Sequence, residues 1–297
     1  MVSRVKICQD KQLIKPPKWL PENIHYEVLT GSVSYAVSND TSDMDIVGFA
    51  IPPKHDLFPH MRGEILGFGT QHQRFNQWQE HHVMDKDSGK EYDFCIYSIV
   101  KFFNLVMENN PNMVDTLFTP QRCVLVCSPV AQIIRDNRKM FLHKGSYHKY
   151  RGYAYQQLSK IGSKANASNP KRQASIEKYG YDSKFAYHVI RLALEGEQIL
   201  TEHDLDIQKN SEILKSIRRG EWSLEKVKSW FDEKEKHLEN LYNTSTLRHS
   251  PDEEKIKDLL FACLEQHYGS LDNAVQREVK VDKVLEELQL VIDKYSR

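Results

Sequence analysis

Asp43-Met44-Asp45 leads directly into Ile46-Val47-Gly48-Phe49, and this joining of paired acids to an apolar run constrains the chain more than any other stretch. The composition is that of a strand, where residues i and i+2 point to one side, so both carboxylates would leave the sheet together. Two like charges that close are unfavourable without a counter-charge, and a divalent cation is the usual one. Upstream, the run from His25 to Leu29 meets Gly31-Ser32. Gly31 permits a backbone turn that a Cβ would obstruct, and Ser32 offers a hydroxyl and an N–H to a phosphate oxygen. A third acid, Asp93, lies in Glu91-Tyr92-Asp93-Phe94-Cys95-Ile96. A turn followed by an acid-faced surface strand would also contain an Asp-x-Asp. Gly31-Ser32 before it and Asp93 after it favour a site instead.

The patterning predicts strands over 25–30, 44–51, 91–96 and 122–127, with a short helix over 33–37 and a stop at Pro52-Pro53. Residues 54–90, rich in His, Gln and Gly, read as a long excursion with internal structure, partly a hairpin. Within it His72, His81 and His82 lack an acid or cysteine at ligand spacing, which argues against a metal there. From Tyr97 the period becomes helical, and Asn109-Asn110-Pro111 separates a first helix from a second, shorter one. Pro129 opens another helix. Beyond about 140 the expected helices are 146–161, 181–197, 209–217, 223–241, 252–267 and 281–295. The expected class is α+β: a mixed sheet flanked by helices over 1–140, then an all-helical domain over 141–297 that closes a cleft between them.

Two basic stretches could neutralise phosphate. Lys184, His188 and Arg191 recur at i, i+4 and i+7, on one helical face beside the apolar Phe185, Val189 and Leu192. A solvent-facing basic stripe, or a core position for His188, would give the same spacing. Lys160, Lys164, Lys171 and Arg172 flank a small, polar, loop-like segment. Tyr147, Tyr150, Tyr153 and Tyr155 crowd Lys149 and Arg151, where rings could stack on bases or pack on one another. Lys+Arg and Asp+Glu balance at 41 each, so a nucleic-acid partner would have to be met by a local patch. Five cysteines without a Cys-x-x-Cys pair argue against a disulfide framework. With no apolar signal core at Met1-Val2-Ser3-Arg4 and no run approaching 18 apolar residues, the expected setting is the cytoplasm, away from membranes.

Gly31-Ser32, the gap to Asp43-x-Asp45 and the later Asp93 together resemble the DNA polymerase β-like nucleotidyltransferase superfamily. Asn110-Pro111-Asn112-Met113-Val114-Asp115 and Gly180-Tyr181-Asp182-x-Lys184, ending in His188-x-x-Arg191-Leu192, resemble one branch of it: predicted nucleotidyltransferases, some associated with RNA ligases and RNA repair. The resemblance implies a metal-dependent transferase of the EC 2.7.7 type, moving a nucleoside monophosphate from a nucleoside triphosphate to an acceptor hydroxyl. It implies Asp43, Asp45 and Asp93 as catalytic ligands of magnesium, or of manganese in its place. Gly31 and Ser32, with Lys184, His188 and Arg191 opposite, would hold the nucleotide, and an RNA end would accept it. Transfer to a protein side chain or a small molecule, or a non-catalytic nucleotide-binding scaffold, are the alternatives. One departure stands out: members usually carry glycine near the position of Ala36, where a methyl could tighten the turn.

Overall fold

The computed structural model describes residues 2–38, 44–161, 170–275 and Gln289. Its strands are β1 (Ile24–Leu29), β2 (Met44–Ala50), β3 (Gln77–Asp85), β4 (Lys90–Ser98) and β5 (Val124–Cys127), forming one sheet in the order β3-β4-β2-β1-β5. β2 and β4 run parallel, and the other neighbours are antiparallel. The fold is therefore α+β, as the patterning predicts. The excursion between β2 and β4 contributes a hairpin. Its turn is set by Asp85, whose carboxylate accepts from Ser88 Oγ and the Asp87 N–H, and by Gly89 at φ +66°.

Helices cover both faces. On one side α1 (Arg4–Asp10) lays Val5 and Cys8 against Ile46, Tyr92, Phe94 and Ile96. Ser3 caps α1, accepting from the Lys6 N–H while its hydroxyl donates to the buried Glu27 of β1. Glu27 also accepts from the Arg4 N–H at 2.6 Å, and burial pushes its carboxyl up to about 7. The short α2 (Lys54–Leu57) follows β2. On the other face lie α3 (Ile99–Met107), α4 (Pro111–Leu117) and α5 (Pro129–Asp136), followed by α6 (Ser146–Ile161) and α7 (Pro170–Tyr179). The chain continues through α8 (Ser183–Glu202), α9 (Ser211–Arg218), α10 (Leu224–Thr244) and α11 (Glu253–Tyr268). α8 is buried along most of its length, so its sequence is apolar on several sides and not along one stripe. One apolar cluster runs from Tyr26 and Phe49 through Phe102 and Leu117 to Ile190 and Leu264, drawing on residues before and after position 140.

Three expectations need correction. Residues 31–36 form turns and no helix, because Gly31 (φ +65°) and Ala36 (φ +57°) are left-handed. The basic segment read as a loop gives way to α7 from Pro170, while 162–169 and the expected helix over 281–295 lie outside the described residues, the latter apart from Gln289. Tyr147 and Tyr150 are buried, so they pack and do not stack on a base. No helix among the described residues is long and apolar enough to cross a membrane.

Gly48, in the middle of β2, is where β1 passes closest. A Cβ there would lie 1.9 Å from the Tyr26 carbonyl oxygen and 2.9 Å from its carbon. Both are backbone atoms of a paired strand and cannot rotate aside. Gly48→Ala is expected to cost about 3 kcal/mol, the upper end of overpacking penalties, seen as a lowered denaturant midpoint at unchanged m-value.

Candidate active site

The parallel pairing of β2 and β4 places Asp45 opposite Asp93 in register. On β4 the buried positions Tyr92, Phe94 and Ile96 face α1, and the intervening Asp93, Cys95 and Tyr97 face the other way. They form part of the floor of a cavity of about 360 Å³, joined there by Asp45 of β2 and by Gln79 and His81 of β3. α4 supplies Asn112, Asp115 and Thr116 to its walls, α8 supplies His188 and Arg191, and the turn after β1 supplies Gly31 and Tyr35. Asp43 lies outside the described residues. Ser32 and Lys184 do not line the cavity, and Lys184 is exposed.

Gly31 meets the acid pair at close quarters. A Cβ on it would fall 2.2 Å from Asp45 Oδ2, so the carboxylate rests in the space that glycine leaves. The Thr30 N–H donates to the Asp45 carbonyl at 2.8 Å, tying the end of β1 to the start of β2. Asp93 is held from the opposite side by an irregularity in β3 between Glu80 and Val83. There His82 adopts φ +57° and its N–H donates to Asp93 Oδ1 at 2.8 Å, with His81 Nδ1 3.5 Å from the same oxygen. A bulge next to the acid aims a backbone donor at it, a contact no side-chain pattern announces.

The expected cationic face is not one. Arg191 is buried, and its Nη1 donates to Asp115 Oδ2, to Tyr35 Oη at 2.7 Å and to Glu195 Oε1 at 3.1 Å. Glu195 is one turn further along α8 and shares that face, so an acid stands beside Arg191 on its own helix. Burial pushes the Asp115 carboxyl up, and pushes that of Glu195 well above its ordinary value. Two carboxyls therefore share one guanidinium. Burial opposes the charge on Arg191, but Glu195, Tyr35 and Asp115 hold it protonated. His188 is driven far below its usual value by burial and by the nearby Arg191 and Lys184, so it stands in the cavity wall as a neutral ring. Asp115 was the readable omission. An acid inside Met113-Val114-Asp115-Thr116-Leu117 needs a partner if that helix packs, and Arg191 is the partner.

Ala36 occupies the left-handed region in the turn beside the cavity. Ala36→Gly would relieve about 1 kcal/mol of backbone strain and return part of it as added freedom of the unfolded chain. The expected result is a net gain of about 0.5 kcal/mol, read as a small rise in denaturant midpoint.

Comparison with known proteins fits this arrangement. The profile of the RNA repair pathway DNA polymerase beta family matches residues 7–262. An uncharacterized 38.9 kDa protein from the nrdC-mobD intergenic region of Enterobacteria phage T4 is 29% identical over 138 residues, which cover 46% of this chain and 38% of that protein. The chain thus aligns with well under half the length of that relative. A crystal structure of a nucleotidyltransferase-like protein from Exiguobacterium sibiricum aligns over 99% of this chain and 90% of its own, at 8% identity and a TM-score of 0.29. That likeness is too distant to carry an argument.

Proposed function

The chain belongs to the RNA repair pathway DNA polymerase beta family, and on that premise we infer that it is a metal-dependent nucleotidyltransferase. It moves a nucleoside monophosphate from a nucleoside triphosphate to an acceptor hydroxyl, with release of pyrophosphate. The observation that carries this reading is the in-register pair Asp45 and Asp93 on the floor of one cavity. Among the described residues no group of three His, Cys, Asp or Glu is arranged to hold a metal ion; Asp43, the third carboxylate of this reading by its Asp-x-Asp spacing with Asp45, lies outside them. The donors fit the ion: carboxylate oxygens suit magnesium or manganese, and the side chain of Asp45 lies in a space that any residue but glycine at 31 would fill. A divalent ion held by Asp43, Asp45 and Asp93 would neutralise charge at the α-phosphate and lower the pKa of the incoming hydroxyl.

The protein's own groups take the remaining roles. The turn that carries Gly31 and Ser32 presents backbone donors to the phosphates, with Gly31 in the cavity lining and Ser32 next to it. The His82 N–H keeps Asp93 from rotating away from Asp45. His188, neutral, offers a hydrogen bond to the nucleotide without charge, while Lys184 is exposed and outside the cavity lining. Arg191 serves the site through Asp115 and Tyr35, since its charge is already matched. An RNA end is the acceptor this reading assigns, on the strength of the family's description.

Incubating the protein with each α-labelled triphosphate and magnesium, first with RNA fragments and then with cell extract, tests it. Label on RNA that disappears with Asp45→Asn is the expected result. Label on protein or small molecules would replace the acceptor, and metal-independent binding without any transfer would leave a nucleotide-binding scaffold.

A further inference from the structure

The turn after β1 carries Gly31 and Ser32, and it is held both by its own bonds and by side chains from far along the chain. Within the turn, the Val37 N–H donates to the Ser32 carbonyl at 2.9 Å, the Ala36 N–H to Val33 at 3.2 Å, and Ser34 Oγ to Gly31 at 2.9 Å. Two left-handed residues, one of them an alanine, bracket it. Such a conformation persists only where the surroundings over-determine it. Three side chains from far along the chain provide that. Arg191 donates to Tyr35 Oη at 2.7 Å, Gln208 Nε2 to the Ser34 carbonyl at 2.5 Å, and Arg218 Nη1 to the Val37 carbonyl at 2.6 Å.

The last two donors belong to α9 and the turn leading into it, and neither lines the cavity. That leading turn is itself fastened to α8: the Asp206 N–H donates to Gln198 Oε1 at 3.1 Å, and Gln198 Nε2 returns to the Asp206 carbonyl at 3.3 Å. The Gln208 N–H is fixed by Asp206 Oδ1 at 2.9 Å. Arg218 ends α9 and lies over the Tyr187 ring, 5.8 Å from its centroid. A charged donor on a backbone carbonyl is among the stronger hydrogen bonds available to a turn.

We propose that Gln208 and Arg218 are positioning residues for the triphosphate: from outside the cavity they hold the Gly31–Val37 turn in its phosphate-binding shape, so that α9 sets nucleotide affinity. The inference rests on the nucleotidyltransferase reading for its ligand, but not for its clamp, and the experiment separates the two.

Arg218→Met, Arg218→Lys and Gln208→Ala are compared with Arg219→Met, which removes the same charge from the adjacent exposed position, where Arg219 pairs with Glu221. Amide hydrogen exchange of the full-length protein, without ligand, reads the turn directly. Ala36 and Val37 should exchange about 10-fold faster in Arg218→Met, with Arg218→Lys recovering part of the protection and Arg219→Met unchanged. Calorimetry with a non-hydrolysable triphosphate and magnesium should show about 10-fold weaker binding for Arg218→Met and within 2-fold of wild type for Arg219→Met. Unchanged exchange at Ala36 and Val37 overturns the clamp, whatever the ligand result. Faster exchange with unaltered triphosphate affinity overturns the positioning role. Faster exchange in a wild-type background that binds no triphosphate leaves the clamp standing and refutes the nucleotide reading.

Discussion

Arg191→Met should destabilise the protein by about 3–5 kcal/mol, the range found when one member of a buried ion pair is removed and the other is left. The guanidinium is fully enclosed, and it is the shared donor to Asp115, Glu195 and Tyr35. Methionine approximates its stem but leaves two buried carboxyls with no counter-charge. Both already have raised values with the arginine present, so without it both would bind protons more tightly still. The sign of the pH dependence follows. A carboxyl whose folded pKa lies above its unfolded one favours the native state at low pH, and that contribution is lost as pH rises through the folded value. The deficit of Arg191→Met should therefore be small near the ordinary carboxylate range and widen toward neutrality. Denaturant unfolding of wild type and variant at several pH values reads it. Adding Asp115→Asn to Arg191→Met should recover at least about 1 kcal/mol, because the stranded charge goes with its partner. A flat pH profile, or no recovery in the double variant, would mean that the network does not carry the charge assigned to it.

The same network marks where reading the residues in order succeeds and where it stops. Alternation on β4 is strong enough to separate Tyr92, Phe94 and Ile96 from Asp93, Cys95 and Tyr97, so the strand and its polar face are legible. The spacing of Lys184, His188 and Arg191 correctly gives a shared helical face, but periodicity carries no information about what that face meets. Here it meets α4 through Asp115, and one position proves exposed, one half-buried and neutral, and one buried in an ion pair. The parallel partnership of Asp45 with Asp93 is likewise not local, since it depends on a hairpin inserted between their strands and on a sheet order that puts β4 beside β2. The helix expected over 33–37 failed for a conformational reason: Val33, Tyr35 and Val37 suggest a packed element, and Tyr35 and Val37 do bury while Val33 is half-buried, but Ala36 takes a left-handed backbone that nothing in its side chain advertises.

Asp45→Asn and Asp93→Asn should each lower nucleotide transfer on the order of 10³-fold while leaving the fold intact or slightly firmer. Asparagine keeps the shape of the side chain and, at position 93, an oxygen to accept the His82 N–H, so only the charge is lost. Like charges opposite one another on neighbouring strands oppose pairing by about 0.2–1 kcal/mol, and either substitution removes that repulsion. A small rise in unfolding midpoint alongside a collapse in activity is thus the signature of a pair kept for chemistry at the expense of stability. The two variants should differ in binding. Asp45 rests against Gly31, and on the proposed reading the two meet the phosphates together, so Asp45→Asn should weaken both triphosphate affinity and transfer. Asp93, on the β3 side of the cavity, is the acid that the proposed reading gives to the incoming hydroxyl, so Asp93→Asn should bind triphosphate close to wild type and fail in the transfer step. Calorimetry beside single-turnover incorporation of label separates these cases. An Asp93→Asn protein that turned over at the wild-type rate would remove the pair from the chemistry and leave it as an acidic feature of the sheet.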